Sequence, residues 1–151
     1  MENKYFTPSL EDIRVGYECE ICPNLGFDDN WVKVVGRCEE IPGNGVKDGN
    51  LDDLTYDCLV DGYIGIRVPY LTKEQIEAEG WEFVESNKSI NILTFKIIIN
   101  DHSWYELDYF TDSKTLIITK YYIHGDEDLG LYNGECKDIN TFRYITKLLR
   151  I

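Results

Sequence analysis

The chain has 151 residues, 43% of them hydrophobic and 13% aromatic, which predicts a globular body with a self-sufficient core and not a disordered chain. Its 28 acidic and 15 basic residues give a formal charge of −13, which repels phosphate backbones and disfavours duplex nucleic acid as a partner. No apolar run approaches the roughly 18 residues that cross a bilayer, and residues 1–6 lack the basic-then-apolar order of a secretory leader. No membrane association is therefore expected, and a cytoplasmic location, where the five cysteines stay reduced, is.

The first predicted strand covers residues 13–21, with Val15, Tyr17, Cys19 and Ile21 on one face and Gly16, Glu18 and Glu20 on the other. Pro23-Asn24-Leu25-Gly26 ends it, and residues 31–35 form the next strand. Residues 41–53, rich in Gly, Asn and Asp, form the longest predicted loop. A third strand over 63–68 closes at Pro69.

Thr72-Lys73-Glu74-Gln75 then reads as a capping box. The Thr72 hydroxyl accepts from the Gln75 amide and the Gln75 side chain reaches back, with Leu71 and Ile76 at the staple positions and Gly80 at the helix end. This predicts a short helix over 72–80. Strands follow at 81–85 and through the 90s, where Leu93, Phe95, Ile97 and Ile99 share a face. After a turn at 100–103, Tyr105, Leu107 and Tyr109 alternate with Glu106 and Asp108. A turn at 111–114, a β-branched strand over 115–123, an acidic loop at 124–130 and a short strand over 131–137 complete the series.

The last element is an amphipathic helix over 139–149, opened by Asp138, with Ile139, Phe142, Ile145, Leu148 and Leu149 on one side. Arg143, Lys147 and Arg150 lie toward its C-terminus, where the helix dipole favours positive charge. Short turns between consecutive strands imply antiparallel pairing. The expected class is α+β: one domain over 1–151, a mostly antiparallel curved sheet with two helices.

The block from Ile66 to Trp81, Ile-Arg-Val-Pro-Tyr-Leu-Thr-Lys-Glu-Gln-Ile-Glu-Ala-Glu-Gly-Trp, resembles a stretch of small uncharacterised proteins of tailed phages and mobile elements of gut anaerobic bacteria. The segments Tyr5-Phe6-Thr7-Pro8, Val15-Gly16-Tyr17-Glu18, Tyr132-Asn133-Gly134-Glu135-Cys136-Lys137 and the helix from Phe142 to Leu149 extend that resemblance to both ends of the chain, while residues 38–61 depart from it. The resemblance carries no activity. It implies a phage or prophage accessory protein of the bacterial cytoplasm, a class that often antagonises host defence.

Motif chemistry is sparse. Cys19-Glu20-Ile21-Cys22, with Cys38 and Cys58, supplies the residue types of a four-thiolate zinc site, but the second half lacks a close pair. Positions 19 and 22 of a strand also face opposite ways. The other readings of these cysteines are a redox pair and buried, inert thiols. His102 and His124 sit in turn segments with no nucleophile motif nearby. The acidic loops at 48–52 and 126–130 lack the Gly and Glu spacing of a calcium loop, and no phosphate-binding glycine loop is present, so no cofactor is implied.

The aromatic residues are the richer signal. Trp31, Trp104, Tyr105, Tyr109 and Tyr121, with Arg67 or Arg143, have the chemistry either to stack a small nucleotide or to form a protein-binding patch; packing of the sheet against its helix is the plainer reading. The expected function is non-enzymatic binding of a host or phage protein. A sponge for a nucleotide-type immune signal, built at a homo-oligomer interface, and a small hydrolase-like enzyme are the alternatives.

Overall fold

A computed structural model describes residues 4–8, 17–22, 31–35, 65–123 and 128–151. The chain divides into two compact units, Met1–Tyr70 and Leu71–Ile151. Among the described residues every strand pairing is antiparallel, and the class is α+β as the sequence predicts. The strands form two sheets, of four and five strands, where the sequence reading has one.

The first unit holds β1 (Tyr5–Phe6), β2 (Glu18–Cys22), β3 (Val32–Val35) and β4 (Gly65–Pro69), in the order β1-β4-β2-β3. The alternation read in the sequence survives in β2. Tyr17, Cys19 and Ile21 are buried, while Glu18 and Glu20 on the opposite face pair with Lys33 and Arg67 at 2.8 and 2.7 Å. Residues 41–53, the predicted long loop, and 13–16 lie outside the described residues.

The second unit begins with α1 (Lys73–Ala78). Both halves of its capping box are present: the Thr72 hydroxyl accepts from the Gln75 backbone amide at 3.3 Å, and the Gln75 side-chain Oε1 accepts from the Thr72 backbone amide at 3.0 Å. Gly80, at φ +92°, takes the left-handed conformation that closes the helix without a Cβ penalty. Strands β5 (Glu82–Asn87), β6 (Ile92–Asn100), β7 (Ser103–Phe110), β8 (Thr115–Tyr122) and β9 (Leu129–Glu135) then pair in chain order. Bulges interrupt the ladder at Val84 in β5 and Leu131 in β9, both on outermost strands, and at Ile99 in β6. The last of these turns Ile99 away from the face of Phe95 and Ile97, so Ile99 is exposed where the alternation places it inside.

Helix α2 (Ile139–Leu149) covers one face of this sheet. Asp138 is buried, yet its carboxylate is satisfied: one oxygen accepts from the Asn140 and Thr141 amides at 2.8 and 3.0 Å, the other from the Thr141 hydroxyl at 3.3 Å. The core joins Ile139, Phe142 and Ile145 of α2, Ile76 of α1, and Phe95, Leu107, Tyr109, Leu116 and Ile118 of the strands, closed by Leu71, Trp81 and Cys136. Leu148 departs from the predicted apolar side and is 63% exposed. It stands about 100° round the helix from Leu149, which packs on the core. On β9, the Tyr132 ring lies over Gly134, where a Cβ would come within 2.8 Å of its hydroxyl oxygen, and that hydroxyl donates to the Glu135 carbonyl at 2.8 Å.

Candidate functional site

A two-residue turn at Asp101 and His102 fixes the register of β6 against β7, with Ile98 opposite Trp104, Lys96 opposite Glu106 and Thr94 opposite Asp108. In β8, Tyr121 stands opposite Trp104 and Thr119 opposite Glu106. Side chains alternate across a sheet. Phe95, Leu107 and Tyr109 therefore turn toward α2, and Lys96, Trp104, Glu106, Asp108 and Tyr121 toward the other face. Among the described residues, no element of the second unit covers that other face.

Its centre is an aromatic pair. The Trp104 and Tyr121 rings stack with centroids 5.4 Å apart and planes inclined by 15°. The Lys96 ammonium lies 4.3 Å from the Trp104 centroid, and the Thr94 hydroxyl donates to Asp108 at 2.7 Å. Glu82 and Glu85 of β5 share the face through their pairing with Lys96 and Thr94, and Glu135 of β9 joins it opposite Thr115. Among the described residues five carboxylates thus stand with one ammonium on the strands of this face, and Glu135 is paired with Lys137, just past β9, at 2.9 Å. Ile98, opposite Trp104, is 66% exposed; Ile123 and Leu129 are exposed at the same end of the sheet.

The carboxylates act on one another. Burial pushes the Glu106 carboxyl above its ordinary value, as do Asp108 and Glu85, against the Trp104 indole N–H and the Lys96 ammonium, which pull it down. Burial also raises the Tyr121 phenol, reinforced by Glu106, Asp128 and Asp108. A carboxyl that holds its proton more tightly in the folded state opposes folding once ionised. That opposition is complete above the folded pKa and disappears as pH falls below the unfolded one. Glu106→Gln is accordingly expected to raise stability at pH 7, with the gain vanishing below about pH 4; denaturant titrations of both proteins across that range measure it.

No protein-family model, curated protein or solved structure matches the chain. Its site rests on its own geometry.

The aromatic residues singled out in the sequence separate. Trp104 and Tyr121 come together on the open face. Tyr109, 1% exposed, belongs to the core, and Tyr105 packs against that core; neither is part of a stacking surface with Trp104, because odd and even positions of β7 point apart. Arg67 and Trp31 do meet, in the first unit. The Arg67 guanidinium sits between the Tyr5 and Trp31 rings, 3.9 and 4.0 Å from their centroids, and its Nε donates to Glu20 at 2.7 Å. Arg143 donates through Nε to Glu79 at 2.6 Å. Both arginines proposed for a phosphate are thus engaged with carboxylates, and the half-buried aromatic pair of the second unit lies among acidic groups. This electrostatics disfavours a nucleotide on that pair.

Cys19 and Cys22 are buried on opposite faces of β2, and burial raises the Cys19 thiol to about 11, so it stays protonated at neutral pH. Cys38 and Cys58 lie outside the described residues, as does His124. Among the described residues no group of three or more His, Cys, Asp or Glu side chains is placed to hold a metal ion. His102 is exposed in the β6–β7 turn, where its amide donates to the Asn100 side chain at 2.9 Å. Among the described residues no helix is long and apolar enough to cross a membrane.

The sequence reading omits Tyr5 and Glu20 from the Arg67 cluster, and Lys96, Glu106, Asp108 and Ile98 from the open face. A signal for the second group does exist in the sequence. A two-residue turn after Asn100 sets the cross-strand partners of β6 and β7 and separates Trp104 from Tyr105. Tyr5 has no such signal, because β1 is a two-residue strand defined only by its partner β4.

Proposed function

We propose that the chain is a non-enzymatic accessory protein that binds another protein through the open face of its five-stranded sheet. The observation that carries this reading is the Trp104–Tyr121 stack beside exposed Ile98, on a face that no element of its own unit covers among the described residues. Large amphipathic rings held rigid by a sheet lose little conformational entropy on binding, and such residues dominate interface energetics. The resemblance to phage and mobile-element proteins supports a bacterial cytoplasm as the place of action and a host or phage protein as the partner, with antagonism of host defence as the biological role.

Affinity capture with the tagged full chain, from lysate of a gut anaerobe carrying a tailed phage, tests the reading. Trp104→Ala/Tyr121→Ala is expected to lose a protein that the wild type retains, while the wild-type thermal transition is kept within a few degrees. Equal capture by both proteins would overturn it.

A further inference from the structure

We propose that the open face of the five-stranded sheet takes an arginine-bearing segment of its protein partner, with a guanidinium stacked on the Trp104–Tyr121 pair and bonded to Glu106. This rests on the protein-binding reading and names the partner's chemistry. The charge of this face is complementary to a cation. Glu82, Glu85, Glu106 and Asp108 face the same side as Lys96, the one cation on the described strands of that face, while Glu135 at its β9 margin is already paired with Lys137 at 2.9 Å. The Glu106 proton is held more tightly than usual because desolvation and the Asp108 and Glu85 charges penalise its ionised form. An added cation relieves that penalty, whereas an anion deepens it.

Lys96, Trp104 and Tyr121 come from neighbouring strands in that order. Lys96 therefore belongs to the β6 side, where its ammonium already occupies a cation–π position on Trp104. On the β8 side, the Tyr121 hydroxyl feels Glu106, Asp108 and Asp128 together. A planar guanidinium is weakly hydrated, stacks on aromatic rings and bonds carboxylates through two parallel N–H groups, which an ammonium cannot do.

A precedent lies within the same chain. In the first unit a guanidinium meets two aromatic rings and a glutamate: Arg67 with Tyr5, Trp31 and Glu20. The open face of the second unit presents the same three partners, two rings and a glutamate, with the Lys96 ammonium over one ring and, among the described residues, no guanidinium. Exposed Ile98, opposite Trp104, and Ile123, two residues beyond Tyr121, border the aromatic pair and give the apolar part of the incoming segment a surface to cover.

The test uses the full chain with 5-fluorotryptophan in place of tryptophan. It is titrated with a capped octapeptide of alternating arginine and serine, and with the lysine and glutamate versions of that peptide. The arginine peptide is expected to move the Trp104 fluorine signal saturably and to bind about fivefold more tightly than the lysine peptide; the glutamate peptide should not bind. Glu106→Gln/Asp108→Asn should weaken the arginine peptide about tenfold. Glu74→Gln/Glu77→Gln, which removes the same charge from α1, should leave its affinity about unchanged. Equal binding of the arginine and lysine peptides, equal weakening by both double variants, or a stationary Trp104 signal would each overturn the proposal. Affinity capture separates it from the reading beneath it. A partner lost by Trp104→Ala/Tyr121→Ala but kept by Glu106→Gln/Asp108→Asn defeats the arginine inference and leaves protein binding standing. A partner kept by both variants defeats both.

Discussion

Phe142→Ala is expected to remove about 3–5 kcal/mol of the stability of the second unit, the largest effect of any single truncation considered. Phe142 is 0% exposed and meets Trp81 edge to face, with centroids 6.4 Å apart and planes at 65°. It stands at the centre of the α2 face that closes the sheet, between Ile139 and Ile145. Its loss costs the transfer free energy of a whole ring and leaves a cavity that Trp81 and the strands beneath can fill only in part. Guanidinium unfolding followed at Trp81 should show a lower midpoint with little change in slope, since the surface exposed on unfolding is nearly the same. Leu148→Ala on the same helix provides the contrast. That side chain faces solvent, and its removal should shift stability by no more than about 0.5 kcal/mol. A comparable loss at both positions would mean that α2 packs through a different face.

Arg67→Ala should cost the first unit about 2–3 kcal/mol, from two cation–π contacts and one partly shielded ion pair. The guanidinium links three strands and the residue before a fourth: it extends from β4, pairs with Glu20 of β2, and lies between Tyr5 of β1 and Trp31, which leads into β3. Removing it breaks contacts in every direction across the small sheet and leaves the half-buried Glu20 without its cation. Arg67→Lys keeps the charge but neither the flat stacking surface nor the directed Nε bond, and should recover less than half of the loss. The Trp31 fluorine signal reports the result locally: its melting temperature should fall most in Arg67→Ala and less in Arg67→Lys. A Lys variant as stable as the wild type would show that charge, and not stacking, holds the cluster.

Local chemistry made much of this fold readable in advance. Thr72 and Gln75 satisfy each other within one turn, so the start of α1 needs nothing from the rest of the chain. The same holds for Asp138 at the head of α2 and for the alternation through β7 and β8. What depends on pairing was less visible. β1 exists because Tyr5 and Phe6 find Pro69 and Val68 more than sixty residues away. The bulge at Ile99 breaks a run of isoleucines that reads as uninterrupted.

The candidate site divides along the same line. Trp104 and Tyr121 were identifiable as residues but not as a pair, because their stacking follows from a strand register set at both ends of β7. Tyr109 and Tyr121 are the same residue type in neighbouring strands, and only the register, which sets Tyr109 opposite Leu116 and Tyr121 opposite Trp104, puts them on opposite faces. Arg67 was visible as a cation, while the partners that engage it come from three other segments of its unit.

The bulges at Val84 and Leu131 fall on the two outermost strands of the five-stranded sheet. A margin that steps out of line offers no straight row of amide and carbonyl groups for another chain to copy. Each edge of this sheet is therefore a poor template for growth into fibrils.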